Sequence, residues 1–217
     1  MTNEQLNFFS FQFITHHTDK YTYYQSVEMA LQGGCKWIQL RMKDVCPKKV
    51  KEIALQVKSL CEVYSAVFLL DDYVELCKEI EADGVHLGKQ DMSVPKARNI
   101  LGDNFIIGST CNTYEDMLAH AGHPVDYIGL GPFRFTKTKV NLSPVLGIEQ
   151  YQTIIKKCCE IGLSFPVVAI GGITVKDISS LLKTGVGGVA LSGAILQAEN
   201  PVEETKKVLN EINKYIK

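Results

Sequence analysis

The chain has 217 residues, 24 acidic against 23 basic groups for a net charge of −1, and a composition 46% hydrophobic and 22% charged. That length suits one domain or two small ones, and the composition excludes a disordered chain. The balanced charge excludes a broad cationic field for nucleic acid, although it leaves room for a local cationic pocket.

Met1–Ser10 is polar and has no basic flank ahead of an apolar run, so no secretory leader is expected and the chain reads as cytoplasmic. Beyond it, short apolar runs alternate with amphipathic stretches. Phe11–Thr15 leads into a helical pattern over Tyr24–Gln32, Trp37–Arg41 into Lys48–Tyr64, and Ala66–Asp71 into Val74–Ile80. Gly84–Leu87 precedes Pro95–Leu101, Phe105–Gly108 precedes Tyr114–Ala121, and Tyr127–Gly129 precedes Ile148–Ile161. Pro166–Ile170 precedes Val175–Lys183, and Gly188–Leu191 precedes Val202–Ile216, whose Val208, Leu209 and Ile212 hold one apolar face. No run approaches the roughly 18 to 20 apolar residues of a membrane span. Gly33, Gly34, Gly162 and Gly185 follow their helices, as C-terminal caps do. The seven cysteines lack metal-type spacing, Cys158 and Cys159 being adjacent, and free thiols are expected.

Runs this short, rich in Ile, Val and Phe, predict strands buried on both faces of a parallel sheet. Eight strand–helix units fill the chain without a linker, so the expectation is a single domain over 1–217, a small (β/α)8 TIM barrel. A doubly wound open sheet competes with it, but no G-x-G-x-x-G follows the first run. In a barrel the active site stands at the C-terminal ends of the strands.

Polar residues gather at those ends. Alternation puts Gln39, Arg41 and Lys43 on one face of the second strand, a cationic pair suited to phosphate oxygens. Asp71 and Asp72 end the third strand, and Asp91 follows the fourth. Two of these carboxylates, Asp72 and Asp91, are placed to share a cation, and Mg²⁺ is the one that pairs carboxylates with phosphate. His86 lies inside a strand and reads as core. Thr110 and Asn112 end the fifth strand, where they offer donors to an anion or to the next helix. The loop Phe133–Ser143 is basic and rich in hydroxyls, which suits either a phosphate clamp or solvated surface. Gly171-Gly172 and Ser192-Gly193 end the last two strands, where backbone N–H groups and a short helix can meet phosphate. The pattern implies two phosphate subsites, with no Ser-His-Asp set and no Schiff-base lysine.

The blocks Gln39-Leu40-Arg41-Met42-Lys43, Asp71-Asp72, Ala82–Asp91, Tyr127–Pro132, Thr136-Lys137-Thr138-Lys139 and Ala169–Ile173, in that order, resemble the thiamine phosphate synthase family along nearly the whole chain. The resemblance implies a (β/α)8 barrel that joins 4-amino-5-hydroxymethyl-2-methylpyrimidine diphosphate to a thiazole phosphate with Mg²⁺, releasing diphosphate. It assigns Asp72 and Asp91 to the metal and Gln39 to the pyrimidine. Arg41, Lys43 and Lys139 become the catalytic cations on the diphosphate. Thr136, Thr138, Gly172, Ser192 and Gly193 fall to the thiazole phosphate. The pattern differs at three points. Asp71 replaces an Asn among the substrate contacts, Thr110 replaces a Ser at the diphosphate, and Ser192-Gly193 replaces a hydrophobic-Ser pair.

Two other readings stay open. A thiazole tautomerase shares the barrel, but its His falls at Asn112, which cannot move a proton. A non-catalytic phosphate-binding or regulatory barrel is the second, with Asp71 leaning that way. The expected partners are small phosphorylated substrates, with no nucleic acid and no membrane. A homo-oligomer stays open.

Overall fold

The computed structural model describes residues 10–135 and 144–215. Eight strands, β1 Phe11–Ile14, β2 Trp37–Leu40, β3 Val67–Asp71, β4 Gly84–Leu87, β5 Ile106–Cys111, β6 Tyr127–Leu130, β7 Val167–Ile170 and β8 Gly188–Leu191, close in chain order into a barrel. Every neighbouring pair is parallel, and β8 pairs back on β1 through Phe11 opposite Val189. The helices between them are α1 Tyr23–Gln32, α2 Pro47–Val63, α3 Val74–Ile80, α4 Val94–Leu101, α5 Tyr114–Ala119, α6 Gly147–Glu160 and α7 Val175–Leu182. After β8 come α8 Gly193–Leu196 and α9 Pro201–Ile212. The closed parallel barrel is the expected one, and the open sheet is ruled out.

The alternation of side chains along these strands divides the core in two. Outward residues such as Phe13, Ile38, Leu40, Phe68 and Val85 pack beneath the apolar helix faces in one continuous layer. Inward residues Ile14, Trp37, Leu69, Tyr127, Val168 and Ala190 form a separate cluster that plugs the barrel. Trp37 and Tyr127 meet edge to face there, with ring centroids 4.7 Å apart at 76°. Gly108 makes the space, since a Cβ on it would lie 2.1 Å from Tyr127 Cζ. Tyr127 thus packs between a glycine and the edge of Trp37, the interdigitation that close packing demands.

Most boundaries lie within two residues of the sequence reading, and two differ by more. β5 runs to Cys111, three residues past the apolar run that stops at Gly108, because Ser109, Thr110 and Cys111 pair with Ile128, Gly129 and Leu130 of β6. Partner pairing overrides the low strand preference of Ser. α9 ends at Ile212, short of the expected Ile216. No helix among the described residues is long and apolar enough to cross a membrane.

Candidate active site

A cavity of about 610 Å³ opens at the C-terminal ends of the strands. Gln39, Arg41, Asp71, His86, Thr110 and Asn112 line one side, from β2 to β5, while Gly131, Gly171, Gly172, Ser192 and Gly193 line the other. Each side group arrives by the inward parity of its strand. On β2, Leu40 and Met42 go to the outer core while Gln39 and Arg41 face the cavity. The end of β1 fixes this stretch: Thr15 N donates to Gln39 O at 3.0 Å, and Arg41 N donates to Thr15 Oγ1 at 2.9 Å.

Asp71 is the hub of the polar side. It is 8% exposed, and its Oδ1 accepts from Gln39 Nε2 at 2.8 Å. Its Oδ2 lies 2.8 Å from Lys43 Nζ and 3.7 Å from Arg41 Nε. Burial pulls the Lys43 ammonium toward neutrality, but the charge and hydrogen bond of Asp71, with Asp91 behind it, outweigh that and hold its pKa above the ordinary value. Asp71 is therefore an internal counter-ion for the very groups assigned to the substrate.

The next residue turns the chain. Asp72 (φ 69°) and Tyr73 (φ 47°) both adopt the left-handed conformation, which costs on the order of 1–3 kcal/mol for each such residue. Asp72 N is tied to His86 O at 2.8 Å, which holds the turn against β4. Burial first, and then the charge of Asp91, push the Asp72 carboxyl above its usual pKa. Asp91 comes from the loop after β4, where its Oδ2 accepts from Gly88 N at 2.7 Å. The charge of Asp91 thus reaches Asp72. Among the described residues no three or more His, Cys, Asp or Glu gather as a cage.

His86, read from sequence as core, is 4% exposed but also forms part of the cavity wall. Its Nδ1 meets Tyr127 Oη at 2.8 Å and its Nε2 meets Thr110 Oγ1 at 2.9 Å, while Gln12 Nε2 donates to Tyr127 Oη at 3.1 Å. A buried polar chain thus climbs from inside the barrel to Thr110. Asn112, also buried, donates its side-chain amide to Gly131 O, tying β5 to β6 at the rim.

On the glycine side, Gly171 (φ 94°) and Gly172 (φ 68°) take conformations that a side chain resists. A Cβ on Gly172 would also lie 2.9 Å from Arg134 O. Arg134, at the base of the loop after β6, donates to Gly172 O at 2.8 Å and forks onto Asp177 at 2.9 and 3.0 Å. Ser192 and Gly193 stand where α8 begins, a helix of only four residues. Thr136, Thr138 and Lys139 lie outside the described residues.

The sequence reading missed His16. Its Nδ1 lies 2.7 Å from Ser192 Oγ, and its ring lines the cavity. Burial, then the Arg41 and His17 charges, lower its pKa below the ordinary value. The signal was a pair of histidines directly after the first apolar run, at the one strand end left without a polar assignment.

The family model described as Thiamine monophosphate synthase matches residues 11–195. A Bacteroides fragilis protein named thiamine-phosphate synthase is 59% identical over 201 residues, 93% of this chain and 98% of that protein. One of the same name from Bacteroides thetaiotaomicron is 59% identical over 93% of this chain and 96% of its own. The solved thiamine phosphate pyrophosphorylase of Pyrococcus furiosus superposes with a TM-score of 0.85 at 31% identity, covering 98% of this chain and 100% of that one.

Proposed function

The chain belongs to the thiamine monophosphate synthase family, and on that premise we propose that its cavity joins 4-amino-5-hydroxymethyl-2-methylpyrimidine diphosphate to a thiazole phosphate. The observation that carries this reading is Asp71 tied to Gln39, Lys43 and Arg41 at one wall of the cavity, within reach of the Asp91 charge through Lys43, with glycine backbone on the opposite wall. An acid–base or nucleophilic enzyme needs none of this. A leaving diphosphate needs all of it, because its departure is a problem of charge.

The reaction is a substitution at the methylene carbon of the pyrimidine. The carbon–oxygen bond to diphosphate breaks, the electron pair leaves with the diphosphate, and the thiazole nitrogen lone pair closes the new carbon–nitrogen bond. No proton need move, which accounts for the lack of a triad. Arg41 and Lys43, with Lys139 from the loop after β6, neutralise the developing charge. Thr110 Oγ1 adds a polar contact at the same end. Gln39 holds the pyrimidine, and the backbone at Gly172, Ser192 and Gly193, with Thr136 and Thr138, holds the thiazole phosphate. Both partners are thereby kept in attack geometry, which alone lowers the barrier by several kcal/mol.

Asp72 and Asp91 fit a Mg²⁺ ion, since two mutually repelling carboxylates beside a phosphate site are relieved by one. Bound there, Mg²⁺ would supply positive charge to the diphosphate oxygens. The tautomerase reading loses ground, because Asn112 is tied to Gly131 O and carries no titrating group. We take the whole chain as one domain acting in the cytoplasm on small molecules. Purified protein given both substrates and Mg²⁺ is expected to yield thiamine phosphate and diphosphate in equal amounts, and a chelator to stop it. Binding of the thiazole phosphate without product would mark a non-catalytic phosphate-binding barrel instead.

A further inference from the structure

His16 is a titratable group that the proposed reaction leaves unused. It follows Thr15 at the end of β1, the strand that pairs with β8 on one side and β2 on the other. Its Nδ1 lies 2.7 Å from Ser192 Oγ at the end of β8, and both residues line the cavity. From the β2 side it feels the charge of Arg41, which Asp71 partly offsets at 3.7 Å, and from its own segment that of His17. Burial and these two charges keep the free imidazole neutral. With its pKa held below the ordinary value of about 6.5, under about one-tenth of it is charged at pH 7.5.

The wall beside it is short of charge. Arg41 is the only lysine or arginine among the described residues that line the cavity, and the proposed reaction spends it on the diphosphate. Arg134, behind Gly172, is forked onto Asp177. Gly171, Gly172, Ser192 and Gly193 offer N–H groups and a hydroxyl but no cation. A phosphate monoester is a dianion above about pH 6, and a dianion beside an imidazole favours its protonated form. Protonation also settles the hydrogen bond. A neutral ring can take the Ser192 proton on Nδ1, which leaves Oγ only lone pairs for a ligand. A charged ring carries N–H on both nitrogens, so Nδ1 donates, Ser192 Oγ accepts, and the hydroxyl proton is free to point at phosphate.

We infer that His16 is a binding residue of the phosphate subsite: it takes one proton from solvent as the thiazole phosphate arrives, and the resulting imidazolium supplies the charge that wall lacks and holds the Ser192 hydroxyl as a donor. The proton returns to solvent when the product leaves. The identity of the phosphate rests on the proposed synthase reading.

The test is proton uptake. Titrating 4-methyl-5-(2-phosphoethyl)thiazole into the protein at pH 7.5, in two buffers of different ionisation heat, counts the protons by calorimetry. The ligand is already a dianion there, so its own titration adds little. The wild type is expected to take up at least about half a proton per ligand, and His16→Asn, which keeps a polar partner for Ser192, under about 0.2. By linkage, the wild-type Kd should rise at least about threefold from pH 7 to 8, while that of His16→Asn stays within about 1.5-fold. If His16→Asn does not fold, nitrogen-15 NMR of the wild type decides, since the His16 ring should pass from neutral to charged as ligand is added at pH 7.5. A ring that stays neutral, a wild-type uptake under about 0.2 proton, or an uptake that persists in His16→Asn each overturns the inference. Inorganic phosphate separates it from the synthase reading. A protein that makes no thiamine phosphate, yet takes up the His16-dependent proton with inorganic phosphate, fails as a synthase and keeps the inference. One that makes product without that uptake keeps the synthase reading and loses the inference.

Discussion

Asp91 carries two duties that substitution can separate. One oxygen accepts from Gly88 N at 2.7 Å, and the charge as a whole acts on Asp72 and Lys43. Asp91→Asn keeps an acceptor for Gly88 but loses the charge. Its melting temperature should stay within about 2 °C of wild type, while Mg²⁺-dependent turnover falls roughly a hundredfold. Asp91→Ala should lose the turnover and also about 1 kcal/mol of stability, from the unmet Gly88 donor. Near-normal turnover in Asp91→Asn, followed by diphosphate release, would remove Asp91 from the proposed metal site. Residues such as Gln39, Arg41 and Asp91 were legible because strand parity and position in the chain were enough to place them. The bond from Gln39 to Asp71 spans 32 positions and that from His86 to Tyr127 spans 41, so neither was. Alternation says which face a side chain takes, but not which partner it finds there. Asp71 therefore read as a surplus charge until its contacts were seen.

The elements tell the same story with a different gap. Short apolar runs and the amphipathic stretches after them placed all eight strands and the helices between them to within two residues, apart from the end of β5, where pairing with β6 outweighed local preference. What periodicity could not show is how one loop is tied to the next. Arg134 bridges the loop after β6 to the first turn of α7 through Asp177, whose Oδ2 also accepts from Thr174 N at 2.9 Å. Burial raises the Asp177 pKa, but Arg134 and Thr174 outweigh it and hold the carboxyl below the ordinary value. A carboxyl depressed on folding adds stability above its unfolded pKa of about 3.9, and that stability is lost as pH falls through its folded value. Asp177→Asn should therefore melt about 2–4 °C below wild type at pH 7, with Arg134 half-exposed and its pairing screened. The gap should close as the pH falls from about 5 toward 3. A gap that persists at pH 3 would mean the cap geometry, and not the charge, supplies the stability.

At the scale of the molecule, the near-zero net charge conceals a site of opposed charges, and the outer layer conceals most of the thiols. Cys35, Cys61, Cys77, Cys111 and Cys158 are buried, while Cys46 and Cys159 are exposed. The buried five stand at different places around the barrel: ahead of β2, on α2, α3 and α6, and on β5. Burial pushes Cys35, Cys61, Cys77 and Cys111 up to about 12 and raises Cys158 as well. The thiolate is the reactive form, so at pH 8 a thiol with a pKa of about 12 is ionised to roughly one part in ten thousand. A disulfide-exchange reagent at pH 8 should thus meet two fast thiols in the native protein, and five more only on unfolding. How those five appear reports on cooperativity. A closed barrel has no edge from which to peel, and one continuous apolar layer joins all five sites. They should therefore become reactive together, at a single denaturant concentration that matches loss of far-ultraviolet circular dichroism. Exposure of Cys158 well before Cys35, Cys61 and Cys77 would instead show that the half containing α6 opens on its own, and that the layer is not one cooperative unit.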